Sequence, residues 1–367
     1  MQQNKTLSLL VTLLYALIGG WIFQLIHMPI PWLIGSMVFV LIGSKAVTRI
    51  RPYWPVQIRN TGMIIVGYTI GLSFTMETLQ QISQQLPAMI LLTVLLLLLA
   101  AFIAFIVSKL SGIPYPTLLM GSIPGGLSQM IPLAEETKGV DITVVTFLQV
   151  SRLMMIVFFV PLLIFSPLLG SSGHHPVHDA AKAAATFQGL SPHIFVFAIA
   201  CTLCAILGNK VKMPTAFMLA PMIITIIINL SGYSGPQLPQ LMLNISQVML
   251  GTYIGLMLKP EALEHKVRFT ILALLSGFLL IGGSMGMSYL LANIHHVPFI
   301  TAFLSLSPGG MDQMALIAKE VNADLSIVVC YQLFRILFIF IAVPPLIRLA
   351  FKTVLKKQVA EAAGKRG

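Results

Sequence analysis

Residues Gly121–Met130 read GSIPGGLSQM, and 184 positions further on residues Ser305–Met314 read SLSPGGMDQM. A Pro-Gly-Gly step cannot continue a helix, because proline lacks the N–H donor and glycine adopts backbone angles that other residues avoid. Each step here interrupts an apolar run. In hydrocarbon such a break survives only where protein or a polar cavity satisfies the freed N–H and C=O groups. Two interruptions at matching places in the halves of a chain are the best sequence pointer to a transporter's binding site.

The chain around this pair has 367 residues, 57% apolar and 9% charged, with a mean hydropathy of +0.93. That composition excludes a soluble globular domain and predicts an all-α polytopic membrane protein. Apolar runs of membrane-spanning length occur at 6–26, 31–48, 60–76, 87–110, 116–134 and 141–169, then at 192–208, 214–230, 240–258, 269–291, 298–318 and 325–350. The first run has a counterpart in the second half, where no signal could act, so it reads as an uncleaved first span rather than a secretory signal. The net charge of +11 sits in short loops between these runs, where it reports orientation, so the expected partner is the lipid bilayer and not nucleic acid. Cys201, Cys204 and Cys330 lie inside apolar runs and read as small packing residues.

The halves align over most of their length with an offset of 183 to 185. Met28-Pro29 matches Met213-Pro214, Gly67-x-x-x-Gly71 matches Gly251-x-x-x-Gly255, and Pro114 matches Pro298. Asp141, Gln149, Arg152 and Pro161 match Asp324, Gln332, Arg335 and Pro344. The expected organisation is a first membrane repeat over 1–169, a linker rich in Gly, Ser, Ala and His over 170–190, a second repeat over 191–351 and a basic tail over 352–367.

With Lys5 placed in the cytoplasm, the basic loop of Lys45, Arg49, Arg51 and Arg59 falls inside after two spans. Lys210, Lys212, Lys259, Lys266 and Arg268 also fall inside only if each half crosses the membrane an odd number of times. One of the six segments per half therefore does not fully cross, and the segment broken at Pro-Gly-Gly is the candidate for a re-entrant hairpin. The predicted architecture is two inverted repeats, each of five transmembrane helices plus a broken helix.

Inversion brings the breaks together at the bilayer midplane from opposite sides. The short helix that starts after each break exposes N–H groups suited to an anionic group. Pro124, Gly125, Gly126, Ser128 and Gln129, with Pro308, Gly309, Gly310 and Gln313, are the predicted cradle for a solute. The alternative is a tight kink for helix packing. Spacings of 8 and 3 place Asp141, Gln149 and Arg152 on one helix face, and likewise Asp324, Gln332 and Arg335. Arg152 lies about 16 Å along the helix from Asp141, too deep for a loop residue. Either the two arginines hold a carboxylate, phosphate or similar oxyanion in their planar fork, or they are a buried structural pair satisfied by acidic residues or by carbonyls of the broken hairpins. Asp312 is the one carboxylate inside either motif and stands opposite Ser128. With Glu136, Glu320, Asp141 and Asp324 it is a candidate for a coupling cation or proton, while Glu136 and Glu320 also read as a solvated pair beside Lys138 and Lys319. The Gly-x-x-x-Gly pairs read as close helix packing. His174, His175 and His178 in the linker and Cys201-x-x-Cys204 lack matching partners, so no metal site or cofactor is expected.

PGGLSQM with VDITVVTFLQVSR, and PGGMDQM with ADLSIVVCYQLFR, resemble the AbrB-type duplicated bacterial membrane proteins, which carry the labels ammonia monooxygenase and regulator and differ from the soluble DNA-binding proteins of that name. The resemblance covers essentially the whole chain. In that family's pattern a Glu-Met step follows Pro-Gly-Gly; Gln129 and Gln313 stand where its glutamate would be, which counts against proton carriage there. The resemblance implies a bacterial cell (inner) membrane and kinship with large inverted-repeat transporter groups. By analogy with these, a homodimer is expected. The reading is a secondary transporter of a small, anionic solute and not an enzyme. Its alternatives are a membrane regulator or scaffold, and more remotely a metal-dependent monooxygenase, for which clustered His or carboxylate ligands are missing.

Overall fold

The computed structural model describes residues 5–28, 30–46, 52–125, 127–137, 139–166, 193–213, 215–233, 235–257 and 266–364. Among these every regular element is helical. The first half contains α1 (Lys5–Leu25), α2 (Pro31–Ala46), α3 (Val56–Gly71), α4 (Met76–Ser111), α5 (Tyr115–Ser122), α6 (Leu127–Glu136) and α7 (Ile142–Ile164). The second contains α8 (His193–Lys210), α9 (Ala216–Leu230), α10 (Gln240–Met257), α11 (Lys266–His295), α12 (Phe299–Leu306), α13 (Met311–Glu320) and α14 (Leu325–Gly364). The predicted runs 116–134 and 298–318 are each two short helices separated by the Pro-Gly-Gly residues. The expected linker at 170–190 lies outside the described residues, and the boundary drawn after residue 351 falls inside α14.

Single backbone residues recur along with the helices. His27 and Lys212 both have φ 57°, Ile30 and Thr215 have 49° and 46°, Gly112 and His296 have 69° and 53°, and Gly139 and Asn322 have 81° and 52°. Left-handed backbone is unfavourable for most of these residue types, so its recurrence at the same offset marks turns set by the chain path.

Lys5–Leu25, Ser83–Ser111, Ile142–Ile164, Arg268–His295 and Leu325–Ile347 are long and apolar enough to cross a membrane. The segments Pro31–Lys45, Ile194–Lys210 and Ala216–Leu230 are apolar but shorter. The runs expected at 60–76 and 240–258 form α3 and α10, which do not reach this standard. Gln57, Arg59 and Asn60 on α3, and Gln240, Asn244 and Gln247 on α10, lower their apolarity.

Small residues set the packing between halves. A Cβ at Gly67 would lie 2.4 Å from the Met218 carbonyl oxygen, and one at Gly71 would lie 2.8 Å from that of Met222, so α3 rests against the backbone of α9. Gly251 and Gly255 do the same on α2, with the Leu33 and Met37 oxygens 2.3 and 2.5 Å from the Cβ position. The Gly-x-x-x-Gly pairs thus serve close helix packing, each against the other half. Helices α4 and α11 run antiparallel. Gln85 lines a groove with His295, Gly283 meets Leu99, and the Arg268 guanidinium donates to the Ser111 carbonyl.

Candidate functional site

Both breaks are closed in the same way. After α5 the Gly125 N–H donates to the Ile123 carbonyl at 2.8 Å, and after α12 the Gly309 N–H donates to that of Ser307 at 2.8 Å. These i→i+2 turns end each helix with several carbonyls freed from the helical ladder. Arg152 on α7 supplies donors to them. Its Nη1 donates to the carbonyls of Gly121, Ser122 and Ile123 at 3.2, 3.1 and 3.0 Å, and its Nη2 to Gln149 Oε1 at 2.6 Å. Gln149 Nε2 reaches the carbonyls of Met120 and Ile123. On α14, Arg335 Nη1 donates to the Ser307 carbonyl at 2.7 Å, and Nη2 donates to Gly309 at 2.7 Å and to Gln332 Oε1. Gln332 Nε2 donates to Leu304, Ser305 and Ser307.

The break carbonyls that the structural reading of the arginines named are among their partners. A guanidinium past a helix C-terminus is also favoured by the helix dipole. The arrangement is not saturated. Arg152 and Arg335 are 6% and 3% exposed, every partner found for them among the described residues is a neutral oxygen, and Nε of each has no partner. Each is a cation buried in an apolar body. Burying charge without a counter-ion costs several kcal/mol, on the order of what an incoming anion would offset.

The breaks also meet across the halves. The Cβ position of Gly125 lies 3.3 Å from Cγ2 of Ile339, one turn beyond Arg335. That of Gly309 lies 2.9 Å from Cγ2 of Ile156, one turn beyond Arg152. Met130 and Met314, at matching places on α6 and α13, close the other side of each glycine. Each half therefore supplies the arginine for its own break and the packing wall for the other.

Polar residues after the breaks differ between halves. Gly310 is the N-cap of α13, and a Cβ there would fall 1.9 Å from Gln313 Oε1 and 2.8 Å from Asp312 Oδ1; glycine lets both side chains fold over the helix start. Gln313 Nε2 donates to Asp312 Oδ2 at 2.8 Å, and the Oε1 of this 3%-exposed residue has no partner. Asp312 is partly buried and within electrostatic reach of Arg59 on α3, whose guanidinium stacks on Tyr253 of α10 at 4.9 Å. In the first half Pro124 and Gly125 are buried, but Gly126 and the side chains of Ser128, Gln129 and Glu136 lie outside what the structure describes.

Asp141 and Asp324 are helix caps. Asp141 Oδ1 accepts from the N–H groups of Thr143 and Val144, Asp324 Oδ1 from those of Ser326 and Ile327. Their own N–H groups donate to Thr117 and Thr301, both at 3.2 Å. Glu320 is exposed at the end of α13. Sequence reasoning passed over Thr117 and Thr301, although they match at the offset of 184, and over Asn60, Gln85 and Gln247, whose side-chain oxygens are buried without partners. A polar residue inside an apolar run was the available signal for Asn60 and Gln247, whereas Gln85 lies just before the run that starts at residue 87. Among the described residues no group of three His, Cys, Asp or Glu side chains is placed to hold a metal.

A sequence profile described as "Transition state regulatory protein AbrB" matches residues 32–351. The chain belongs to the AbrB family. "Putative regulator AbrB" of Escherichia coli (strain K12) is 26% identical over 326 residues, covering 89% of this chain and 91% of the relative. "Uncharacterized protein YhjN" of Bacillus subtilis (strain 168) is 25% identical over 352 residues, covering 90% of each. The AbrB profile takes in both breaks and both arginines, and of these two relatives the Escherichia coli protein is the one named a regulator.

Proposed function

We propose that this AbrB-family protein is a secondary transporter that moves a small anionic solute across a bacterial inner membrane by alternating access between two inverted halves. The observation that carries this reading is the reciprocal meeting of the two breaks, each stapled by a buried arginine and walled by the other half. Equivalent helices α4 and α11 running antiparallel support the inversion, since equivalent elements of inverted repeats point in opposite directions. The charge of Arg152 and Arg335, with neutral oxygens as their partners, favours an anion. The glycine-bared backbone and Gln313 provide neutral contacts for it, and Asp312 is the candidate for a coupling cation or proton. Inverted-repeat carriers use breaks of this kind at the midplane.

A regulatory membrane protein without transport is the second reading, favoured by the name of the Escherichia coli relative. A thermal-shift screen of the purified protein against small carboxylates and inorganic phosphate separates the two, because a ligand of the folded state raises its stability. The transporter reading expects an anion that stabilises the wild type and loses its effect in Gln313→Ala, with the unliganded variant melting close to wild type. Absence of stabilisation by any of these anions would favour the regulator.

A further inference from the structure

The two ends of the antiparallel α4–α11 pair are equivalent in the duplicated chain and differ in structure. At one end α4 finishes at Ser111, and Arg268 from the first turn of α11 donates to the Ser111 carbonyl, tying the two helices together. Around it the turn is drawn tight: Ser108 Oγ donates to the Ile113 carbonyl at 2.7 Å, and the Ile113 N–H donates to Ser111 Oγ. At the other end the same offset of 183 to 185 places Gln84 and Gln85 where Arg268 stands, and His295 and His296 where Ser111 and Gly112 stand. A glutamine is shorter than an arginine and carries no charge, and among the described residues no hydrogen bond of Gln85 Oε1 ties the helices there. A groove of about 1570 Å³ opens instead, with mostly apolar walls, Met285, Val297 and Phe299 among them, and a polar set of Gln85, His295 and Asp324. Gln85 is 8% exposed and its Oε1 has no partner. The two ends are about 40 Å apart along α11, at 1.5 Å per residue. The groove also reaches Thr301 on α12, six residues before Ser307, so its floor lies about 9 Å along the helix from the second break.

We propose that this groove is the entrance by which a small hydrophilic solute reaches the breaks from one side of the membrane, and that the Arg268–Ser111 contact holds the equivalent entrance at the opposite end shut. The inference rests on the transport reading and adds its conformational state: the structure is open at the His295 end and closed at the Arg268 end. The amide and imidazole groups along the open end provide hydrogen bonds to a hydrated solute in transit. Arg268 is the latch because it is the cation at this position of one half, and its matching residue in the other half is neutral.

The test is thiol labelling in a background with Cys201, Cys204 and Cys330 replaced by alanine, using a charged, membrane-impermeant maleimide on the detergent-purified full chain. Reporters are Ala323→Cys in the groove and Val140→Cys at the matching place in the closed end. Arg268→Gln should raise the Val140→Cys labelling rate several-fold and lower that of Ala323→Cys, as the population moves toward the state open at the other end. Arg268→Lys retains a donor for the Ser111 carbonyl and should leave both rates near those with Arg268. Unchanged rates at both reporters in Arg268→Gln would overturn the latch, as would a rise at both together, which reports loosening instead of exchange. Labelling needs no solute, so a failed latch leaves the transport reading standing, and a protein that exchanges its open end without moving any anion would remove transport alone.

Discussion

The two breaks are held together alike and differ in the residues that come after them. Both end a short helix in an i→i+2 turn, hand their freed carbonyls to an arginine and a glutamine, and pack a glycine against an isoleucine of the opposite half. After the second break stands Asp312, where the first has Ser128. Groups that each half needs in order to fold are present twice. A group present once answers a need that only one half has, and on the proposed reading that need at Asp312 is a coupling cation or proton. The α4–α11 pair obeys the same rule, with Arg268 facing Gln84 and Gln85 across the duplication.

Removing the staples should break the symmetry most severely. Arg152→Leu takes the guanidinium donor from the Gly121 and Ser122 carbonyls and from Gln149 Oε1, and Arg335→Leu takes it from the Gly309 carbonyl and Gln332 Oε1, at about 1–3 kcal/mol per group left unpaired. Both variants should lose several kcal/mol in thermal or denaturant melting, by similar amounts. If only one is destabilised, the arginines are not equivalent staples. Smaller losses are expected at the glycine contacts. Gly67→Ala and Gly251→Ala drive a methyl into the Met218 and Leu33 carbonyls and should cost about 1–3 kcal/mol each by overpacking. Gly282→Ala, whose Cβ meets nothing within 4 Å, should be neutral or gain about 0.5–1 kcal/mol in helix stability. Asp141→Ala and Asp324→Ala remove matching caps, and melting should register about 1 kcal/mol for each. The smallest effect on stability belongs to Asp312→Ser, which copies the first-half residue. Its melting point should stay near wild type while ion-coupled uptake is lost; a large destabilisation would make Asp312 a structural residue.

Much of this was legible because the chain is written twice. The repeated Pro-Gly-Gly located the breaks, and an arginine about 16 Å into an apolar helix announced a buried cation. What the arginine touches was legible only as alternatives, an acidic residue, carbonyls of the broken hairpin or an anion. Its partners are backbone carbonyls of Gly121 to Ile123, and a carbonyl looks the same in every residue of a sequence. Asp141 and Asp324 were read as candidates for a coupling cation or proton, and their place one residue before α7 and α14, which makes them caps, was not read. Helices α3 and α10 were read as spans from their apolar stretches, but their polar residues, Gln57 and Arg59 on α3 and Gln240 and Gln247 on α10, keep them below the apolarity of the five longest spans. The groove between α4 and α11 arises from residues far apart in the chain, Gln85 and His295, whose proximity depends on the antiparallel pairing.

The most direct test of the transport reading is solute counterflow in proteoliposomes, with each small carboxylate or phosphate that stabilises the protein loaded inside and its labelled form supplied outside. A carrier that opens to one side at a time should give a saturable transient accumulation of label for at least one anion, absent from protein-free liposomes. If an anion binds and yet no counterflow develops with any of them, the two breaks form a ligand-sensing site and the protein is a regulator.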